Sequence, residues 1–130
     1  MLKEPKLSWI NGQPFSEKYK DIYFSSDAAS EVERVFLNPT SFDDFTRETP
    51  QTTILEVGFG AALNFCVTSQ RFLDQNSKNR LHYVSLEKHP FSKRDYIKTF
   101  TNLDRIIPFS THLVDKVPEL IPLSLIHISE

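Results

Sequence analysis

The stretch TILEVGFGAALNF, residues 53–65, contains the signals that decide the fold. Residues 53–57 form a short β-prone run, and the glycine turn Gly58–Gly60 follows it at once. A helix is expected next, from about residue 61 to residue 73, because apolar side chains recur there at helical spacing. These side chains share one stripe: Leu63, Cys66, Val67 and Leu73. The order predicts a strand that passes through a tight glycine turn into a helix.

A second strand and helix follow the first pair. Residues 81–86 form another apolar run that ends in Glu87, and Ser92 begins a further helix through about Phe100 with Asp95 in a capping-box-like position. Residues 106–109 then resume an extended pattern. Strands that alternate with helices predict a parallel sheet, and ligands bind outside the carboxyl ends of its strands. We therefore expect Gly58–Gly60 and Glu87 to face one crevice.

The N-terminal part has a different pattern. Asn11-Gly12 is typical of a tight hairpin turn, because both residues tolerate positive φ. A helix is expected from Ser26-Asp27 to Leu37, and residues 40–52 read as a short helix or a loop. The apolar side chains of the first helix are expected on one face: Ala28, Val32, Val35 and Phe36.

The predicted fold class is α/β, an incomplete Rossmann-like parallel sheet with a small β-rich N-terminal extension. We divide the chain into the extension of hairpin and helix, residues 1–52, and the first half of a cofactor-binding domain, residues 53–122. Residues 123–130 form the remaining segment.

The glycine turn and the acid suit a nucleoside-containing cofactor. Glycine lets the backbone approach a ligand closely, and a carboxylate at the next strand end can accept hydrogen bonds from a ribose diol. A dinucleotide site would place a third glycine where Leu63 stands, with the acid about 20 residues on. Here Glu87 lies 29 residues after Gly58. The pattern disfavours NAD more than S-adenosylmethionine, although a purely structural turn with a solvated acid stays open as the alternative.

Composition narrows the function classes. Fifteen Lys and Arg against 17 Asp and Glu give a net charge of −2, which argues against a dedicated nucleic-acid-binding domain. Cys66 is the only cysteine, so no internal disulfide can form, and we expect it in the core rather than as a nucleophile. With no signal peptide and no membrane-spanning apolar run, the cytoplasm is the expected compartment.

Two further groups of polar residues have ordinary interpretations. The four histidines are dispersed without metal-ligand spacing, so no metal is expected. A basic cluster could meet a phosphate backbone, but a solvated helix face is the preferred interpretation because Asp95 lies among its members. The cluster consists of Lys88, Lys93, Arg94 and Lys98.

Five ordered motifs resemble a known family, the methyltransferase domain of the bifunctional tRNA 5-methylaminomethyl-2-thiouridine biosynthesis proteins. The resemblance runs from about Leu7 to Thr101. Its motifs are an opening with Trp9, Gly12, Pro14 and Ser16, then residues 21–25 (DIYFS), 31–37 (EVERVFL), 56–65 (EVGFGAALNF) and 85–90 (SLEKHP).

The resemblance implies a class I methyltransferase that uses S-adenosylmethionine to methylate the aminomethyl nitrogen of a wobble uridine in tRNA. Family members are often fused to an FAD-dependent oxidase, which this sequence lacks. Carried over by position, Gly58, Phe59, Gly60 and Asn64 would shape the methionine end of the cofactor pocket, and Glu87 would take the ribose hydroxyls. The whole implied cofactor set is Glu56, Gly58, Phe59, Gly60, Ala61, Asn64, Glu87 and Lys88.

The sequence departs from the family pattern in two places. Ala62 stands where the cofactor loop usually has its last glycine, and the later Asp-Gly-Phe and Asn-Pro-x-x-Trp motifs are missing, so no catalytic residue is assigned. Residues 123–130 have no family counterpart, and we interpret them as a non-native tail. We therefore expect a truncated methyltransferase, inactive and poorly stable alone. The alternative is a non-catalytic fragment or a cofactor- or partner-binding module.

Overall fold

The computed structural model describes residues 3–24, 27–103 and 107–110. The chain begins with a small antiparallel sheet of three strands, β1 (Leu7–Ile10), β2 (Gln13–Ser16) and β3 (Asp21–Ile22). Asn11 and Gly12 join β1 to β2 with φ of 52° and 78°, which confirms the predicted hairpin turn. The Asn102 side-chain amide donates a 2.6 Å hydrogen bond to the Gly12 carbonyl and so ties this turn to a later helix.

The first helix differs from its predicted face. Helix α1 (Ala28–Val32) continues into a π-helical segment, Glu33–Leu37, in which the Asn38 N–H bonds to the carbonyl of Glu33, five residues earlier. The wider turn moves Leu37 into the core with Ala28 and Val32. The expectation that Val35 and Phe36 share the buried face is wrong, since both are about half exposed.

The parallel sheet predicted from the sequence is present. After α2 (Phe42–Glu48), strand β4 (Gln51–Val57) pairs in parallel with β5 (Arg80–Leu86), in a register that runs from Gln51 opposite Arg80 to Val57 opposite Leu86. Helix α3 (Leu63–Asp74) connects them and α4 (Lys93–Leu103) follows. Helix α3 begins two residues later than expected and β4 two residues earlier.

The core is built around α3, which packs against α1 and β5, and α4 adds Tyr96 and Phe100 to it. Phe65 packs edge-on against Tyr83 of β5, with ring centroids 4.9 Å apart, and Cys66 is fully buried beside it. The expected core position of Cys66 is thus confirmed. Burial also raises the pKa of the Cys66 thiol far above its usual range. The outer face of the strands is different, because Leu55 is 67% and Val57 83% exposed.

The last described residues correct another expectation. Pro108–Ser110 forms a 3₁₀ turn rather than a strand. Proline suits the first position of such a turn, because its ring fixes φ near the value that the turn needs. The Ser110 hydroxyl then donates to the Phe100 carbonyl at 2.9 Å, and the Phe109 N–H donates to the Gln70 side chain at 2.7 Å. Residue 106, the rest of the proposed domain after 110 and the segment 123–130 lie outside the described residues.

Across the described ranges, no helix is both long and apolar enough to cross a membrane.

Candidate functional site

The glycine turn after β4 has a backbone that only glycine adopts easily. Gly58 has φ of +89° and Gly60 has φ of +54°. A Cβ on Gly58 would meet no protein atom within 4 Å, and one on Gly60 would lie 3.6 Å from Cδ1 of Tyr23. The backbone conformation therefore demands glycine at Gly58, where the space above the chain is left open.

Glu87 joins the ends of the two parallel strands. Its Oε2 accepts a hydrogen bond from the Gly60 N–H at 2.8 Å, and its Oε1 accepts one from the His89 N–H at 2.8 Å. The prediction that the glycine turn and Glu87 face one crevice is confirmed for Gly60, which lines one cavity with Glu87, whereas Gly58 and Phe59 are not among the lining residues. Each carboxylate oxygen has lone pairs for more than one hydrogen bond, so Glu87 can also accept from a ligand hydroxyl.

A cavity of about 880 Å³ opens in front of this edge. Three of the predicted site residues line it, namely Gly60, Glu87 and Lys88, and most of the remaining lining comes from the N-terminal extension. The other lining residues are Lys3, Glu4, Pro5, Lys6, Ser16, Glu17, Lys18, Tyr19, Asp21, Ile22, Tyr23 and His89. This volume suits a ligand of cofactor size.

Glu56 has partners on the neighbouring strand. It accepts hydrogen bonds from the Tyr83 hydroxyl at 2.9 Å and the Ser85 hydroxyl at 2.8 Å. Burial and the nearby Glu56 carboxylate raise the pKa of Tyr83, which keeps the phenol protonated as a donor. The Glu56 carboxylate thus connects the carboxyl ends of β4 and β5 by two hydrogen bonds, next to the glycine turn.

The other predicted site residues lie around the turn. The Phe59 ring packs between Phe65 and Tyr96, at 5.8 Å from each ring centroid, and therefore contributes to the core. Ala61 is buried, and Asn64 lies half-buried in the first turn of α3.

Two tyrosines beside the turn were missed by the sequence reasoning. The Tyr96 hydroxyl donates to the Gly60 carbonyl at 3.2 Å, and the Tyr23 ring lies 3.6 Å from the place that a Cβ on Gly60 would take. Burial raises the pKa of Tyr96, so its phenol stays a donor. For Tyr23 the motif DIYFS was a usable signal, whereas Tyr96 follows only a helical pattern.

Ala62 has the left-handed conformation that favours glycine. Its φ is +65° and its side chain is fully buried at the start of α3. This left-handed backbone costs a residue other than glycine about 1–2 kcal/mol of conformational free energy. The alanine that follows the glycine turn is therefore a point of strain, and its methyl group packs inward.

The basic residues beyond Lys88 do not form one phosphate-binding surface. Lys98 stacks over the Trp9 ring, 4.1 Å from the centroid, and so helps to hold β1 on α4. Arg94 is almost fully exposed and lies 3.7 Å from Asp95. Within the described part of the chain, no three His, Cys, Asp or Glu side chains are grouped so that they could hold a metal ion.

A parallel strand pair with a glycine turn and a bridging acid at its carboxyl edge defines an α/β protein of Rossmann-like type. Comparison with solved structures agrees with this class. The crystal structure of MnmC2 from Aquifex aeolicus matches 93% of this chain and 40% of its own chain, with a TM-score of 0.64 and 21% sequence identity.

Sequence comparison gives the particular family. The tRNA 5-methylaminomethyl-2-thiouridine biosynthesis bifunctional protein MnmC of Campylobacter concisus is 34% identical over 120 residues, and that of Aeromonas salmonicida is 34% identical over 129. These matches cover 92% and 93% of this chain but 19% of each relative. No family model matches. The family recognised from the motifs is confirmed: the chain is a relative of MnmC over about a fifth of the length of those proteins.

Proposed function

We propose that this chain binds S-adenosylmethionine at the glycine turn and supplies the cofactor half of a tRNA-modifying methyltransferase. The observation that carries the proposal is the Glu87 carboxylate, which bridges the Gly60 and His89 N–H groups at the carboxyl edge of β4 and β5. A carboxylate fixed at this point, beside a glycine turn and an open cavity, suits a ligand with a ribose diol.

The residues present fit this cofactor. Above Gly58 no protein atom would meet a Cβ within 4 Å, so a ligand can approach the backbone there. Glu87 would accept the ribose hydroxyls while it holds the turn, and Gly58, Phe59, Gly60 and Asn64 would border the methionine end. The cofactor, when bound, would supply an electrophilic methyl group.

The remaining predicted site residues would act on the shape and charge of the pocket. Glu56 keeps the two strand ends in register through Tyr83 and Ser85, and Ala61 packs behind the turn. Lys88 is exposed beside Glu87 and would meet the polar groups of the ligand. In such a site the protein accelerates methyl transfer mainly by positioning the two reactants.

The proposed substrate is a tRNA whose wobble uridine carries an aminomethyl group. The name of the MnmC relatives supports this, because it describes tRNA 5-methylaminomethyl-2-thiouridine biosynthesis. We place this function in the cytoplasm, where a single buried thiol such as Cys66 stays reduced.

The competing function is a binding module for another nucleotide cofactor, above all NAD. Leu63 occupies the place of the third glycine of a dinucleotide site, and it begins α3 as a half-buried core neighbour. This close packing at the start of the helix favours S-adenosylmethionine, which has no pyrophosphate, over NAD.

Calorimetric titration of the chain with S-adenosylhomocysteine tests the proposal, with NADH as the competitor. We expect saturable binding of S-adenosylhomocysteine that NADH does not displace. Displacement by NADH at comparable concentration would favour an NAD-binding module. No binding of either ligand would favour a non-catalytic module.

A further inference from the structure

We propose that Tyr23, supplied by the N-terminal extension, is a binding residue that forms an aromatic wall of the cofactor cavity at its nucleoside end. The inference rests on the proposed cofactor site and adds to it a residue outside the Rossmann-like part. It also gives the N-terminal extension a direct role in ligand binding.

The Tyr23 ring lies beside the glycine turn. Its Cδ1 and Cε1 lie 3.6 and 3.9 Å from the position that a Cβ on Gly60 would take. A methyl group at that position would be in ordinary van der Waals contact with the ring, so the ring faces Gly60 across a gap about as wide as a methyl group. The same ring lines the cavity together with Glu87.

The position of the Tyr23 ring is fixed from two sides. Its backbone N–H donates to the Pro14 carbonyl at 3.0 Å, which attaches it to β2. Its ring meets Phe91 edge-on, with centroids 4.8 Å apart and an interplanar angle of 89°. Phe91 is almost fully buried, so it cannot move aside without disturbing the core.

Gly60 on the other side of this contact is fixed as well. Glu87 accepts its N–H at 2.8 Å, and the Tyr96 hydroxyl donates to its carbonyl at 3.2 Å. A ligand held by Glu87 therefore meets a rigid corner, with the glycine backbone on one side and the aromatic ring of Tyr23 on the other.

The chemistry of the corner indicates which part of the cofactor it takes. An aromatic ring packs favourably on a planar purine, and the acid that would take the ribose hydroxyls lines the same cavity. Burial raises the pKa of the Tyr23 phenol, so the ring stays uncharged beside Glu87. Gly60 borders the ribose as well as the methionine end, because its N–H bonds to the Glu87 carboxylate, and we assign Tyr23 to the adenosine part of the ligand.

Two substitutions separate the aromatic surface from the bulk of the side chain. Tyr23→Phe keeps the ring, whereas Tyr23→Leu keeps apolar bulk against Gly60 and Phe91 without a ring. We expect Tyr23→Phe to bind S-adenosylhomocysteine within about twofold of the parent chain and Tyr23→Leu to bind about five- to tenfold more weakly. Phe45→Leu is the matched control, because it removes a 56% exposed ring on α2 that is not among the residues lining the cavity; its affinity should not change.

A second ligand locates the contact. 5′-Methylthioadenosine contains the nucleoside but lacks the amino-acid end, so Tyr23→Leu should weaken its binding by the same factor as for S-adenosylhomocysteine. Equal binding by the parent chain and Tyr23→Leu would overturn the inference and leave the proposed function intact. A loss for S-adenosylhomocysteine alone, or an equal loss in Phe45→Leu, would also overturn it. No binding of either ligand by the parent chain would overturn the proposed function and this inference with it.

Discussion

Replacement of Glu87 by glutamine tests the acid at the centre of the proposed site. The carboxylate accepts hydrogen bonds from the Gly60 and His89 N–H groups, both at 2.8 Å. Glutamine retains a single acceptor oxygen, so its amide NH₂ must face one of these donors or the ligand hydroxyls. A hydrogen bond to a charged group contributes about 1.5–3 kcal/mol, against about 0.5–1.5 kcal/mol for a neutral pair.

The expected loss in binding free energy is about 2 kcal/mol, since one acceptor is lost and another loses its charge. This corresponds to an increase of about 30-fold in the Kd for S-adenosylhomocysteine, measured by calorimetry at neutral pH. Glu48→Gln, at the exposed end of α2, is the matched control and should bind like the parent chain. An unchanged Kd in Glu87→Gln would refute the assignment of this carboxylate to the ligand.

Further predictions concern the turn and the packing behind it. Gly60→Val should abolish binding of S-adenosylhomocysteine while Cys66→Ala preserves it, because valine adds bulk at φ +54° on the cavity side and Cys66 is fully buried in the core; unchanged affinity in Gly60→Val would remove the turn from the site. Ala62→Val should lower the free energy of unfolding by about 2 kcal/mol or more in urea titrations, since a β-branched residue at φ +65° adds strain and overpacks a buried position; a stability equal to the parent would contradict the left-handed conformation. Asp43→Asn should destabilise the fold by about 1–2 kcal/mol at pH 7, because Asp43 accepts hydrogen bonds of 2.9 and 2.7 Å from Arg71.

The stabilising effect of Asp43 depends on pH. Its hydrogen bonds with Arg71, the largest cause, hold the pKa of Asp43 below its usual value. A carboxyl whose pKa is lowered by folding adds stability above its unfolded pKa of about 3.9, and this stability is lost as the pH falls through the folded pKa. The difference between the parent chain and Asp43→Asn should thus be complete at pH 7 and shrink below about pH 4. A difference that stays constant between pH 7 and pH 3 would contradict this account.

The sequence predicted the elements that have strong local signals. Asn11-Gly12 determined a hairpin by its own backbone preferences, and the order of strand, glycine turn, helix and strand determined a parallel pair. The parallel pair alone predicted that Gly60 and Glu87 lie together, because the carboxyl ends of parallel strands share one edge. The roles of these residues toward a ligand stay predictions.

Two features could not be predicted from local sequence patterns: a change of helix type and a contact between residues distant in the chain. The π-helical segment Glu33–Leu37 departs from the 3.6-residue period, so a helical pattern could not place Val35 and Phe36 correctly. The Tyr23 ring lies beside Gly60 in a position that depends on its contact with Phe91, 68 residues later in the chain. Such pairs, far apart in sequence, have no local signature.

The composition of β4 explains why its two faces could not be told apart. The strand contains Ile54, Leu55 and Val57 with little alternation, which is typical of a parallel strand that is covered on both sides. Among the described residues Ile54 on the inner face packs against the core, while Leu55 and Val57 on the outer face are 67% and 83% exposed. The chain spans 40% of the MnmC2 chain that shares its fold. Exposed apolar side chains of this size promote self-association, so the poor stability expected for this chain alone has a physical basis in β4. Light scattering as a function of protein concentration measures this self-association. Val57→Lys should reduce the scattering without altering the inner face of the strand.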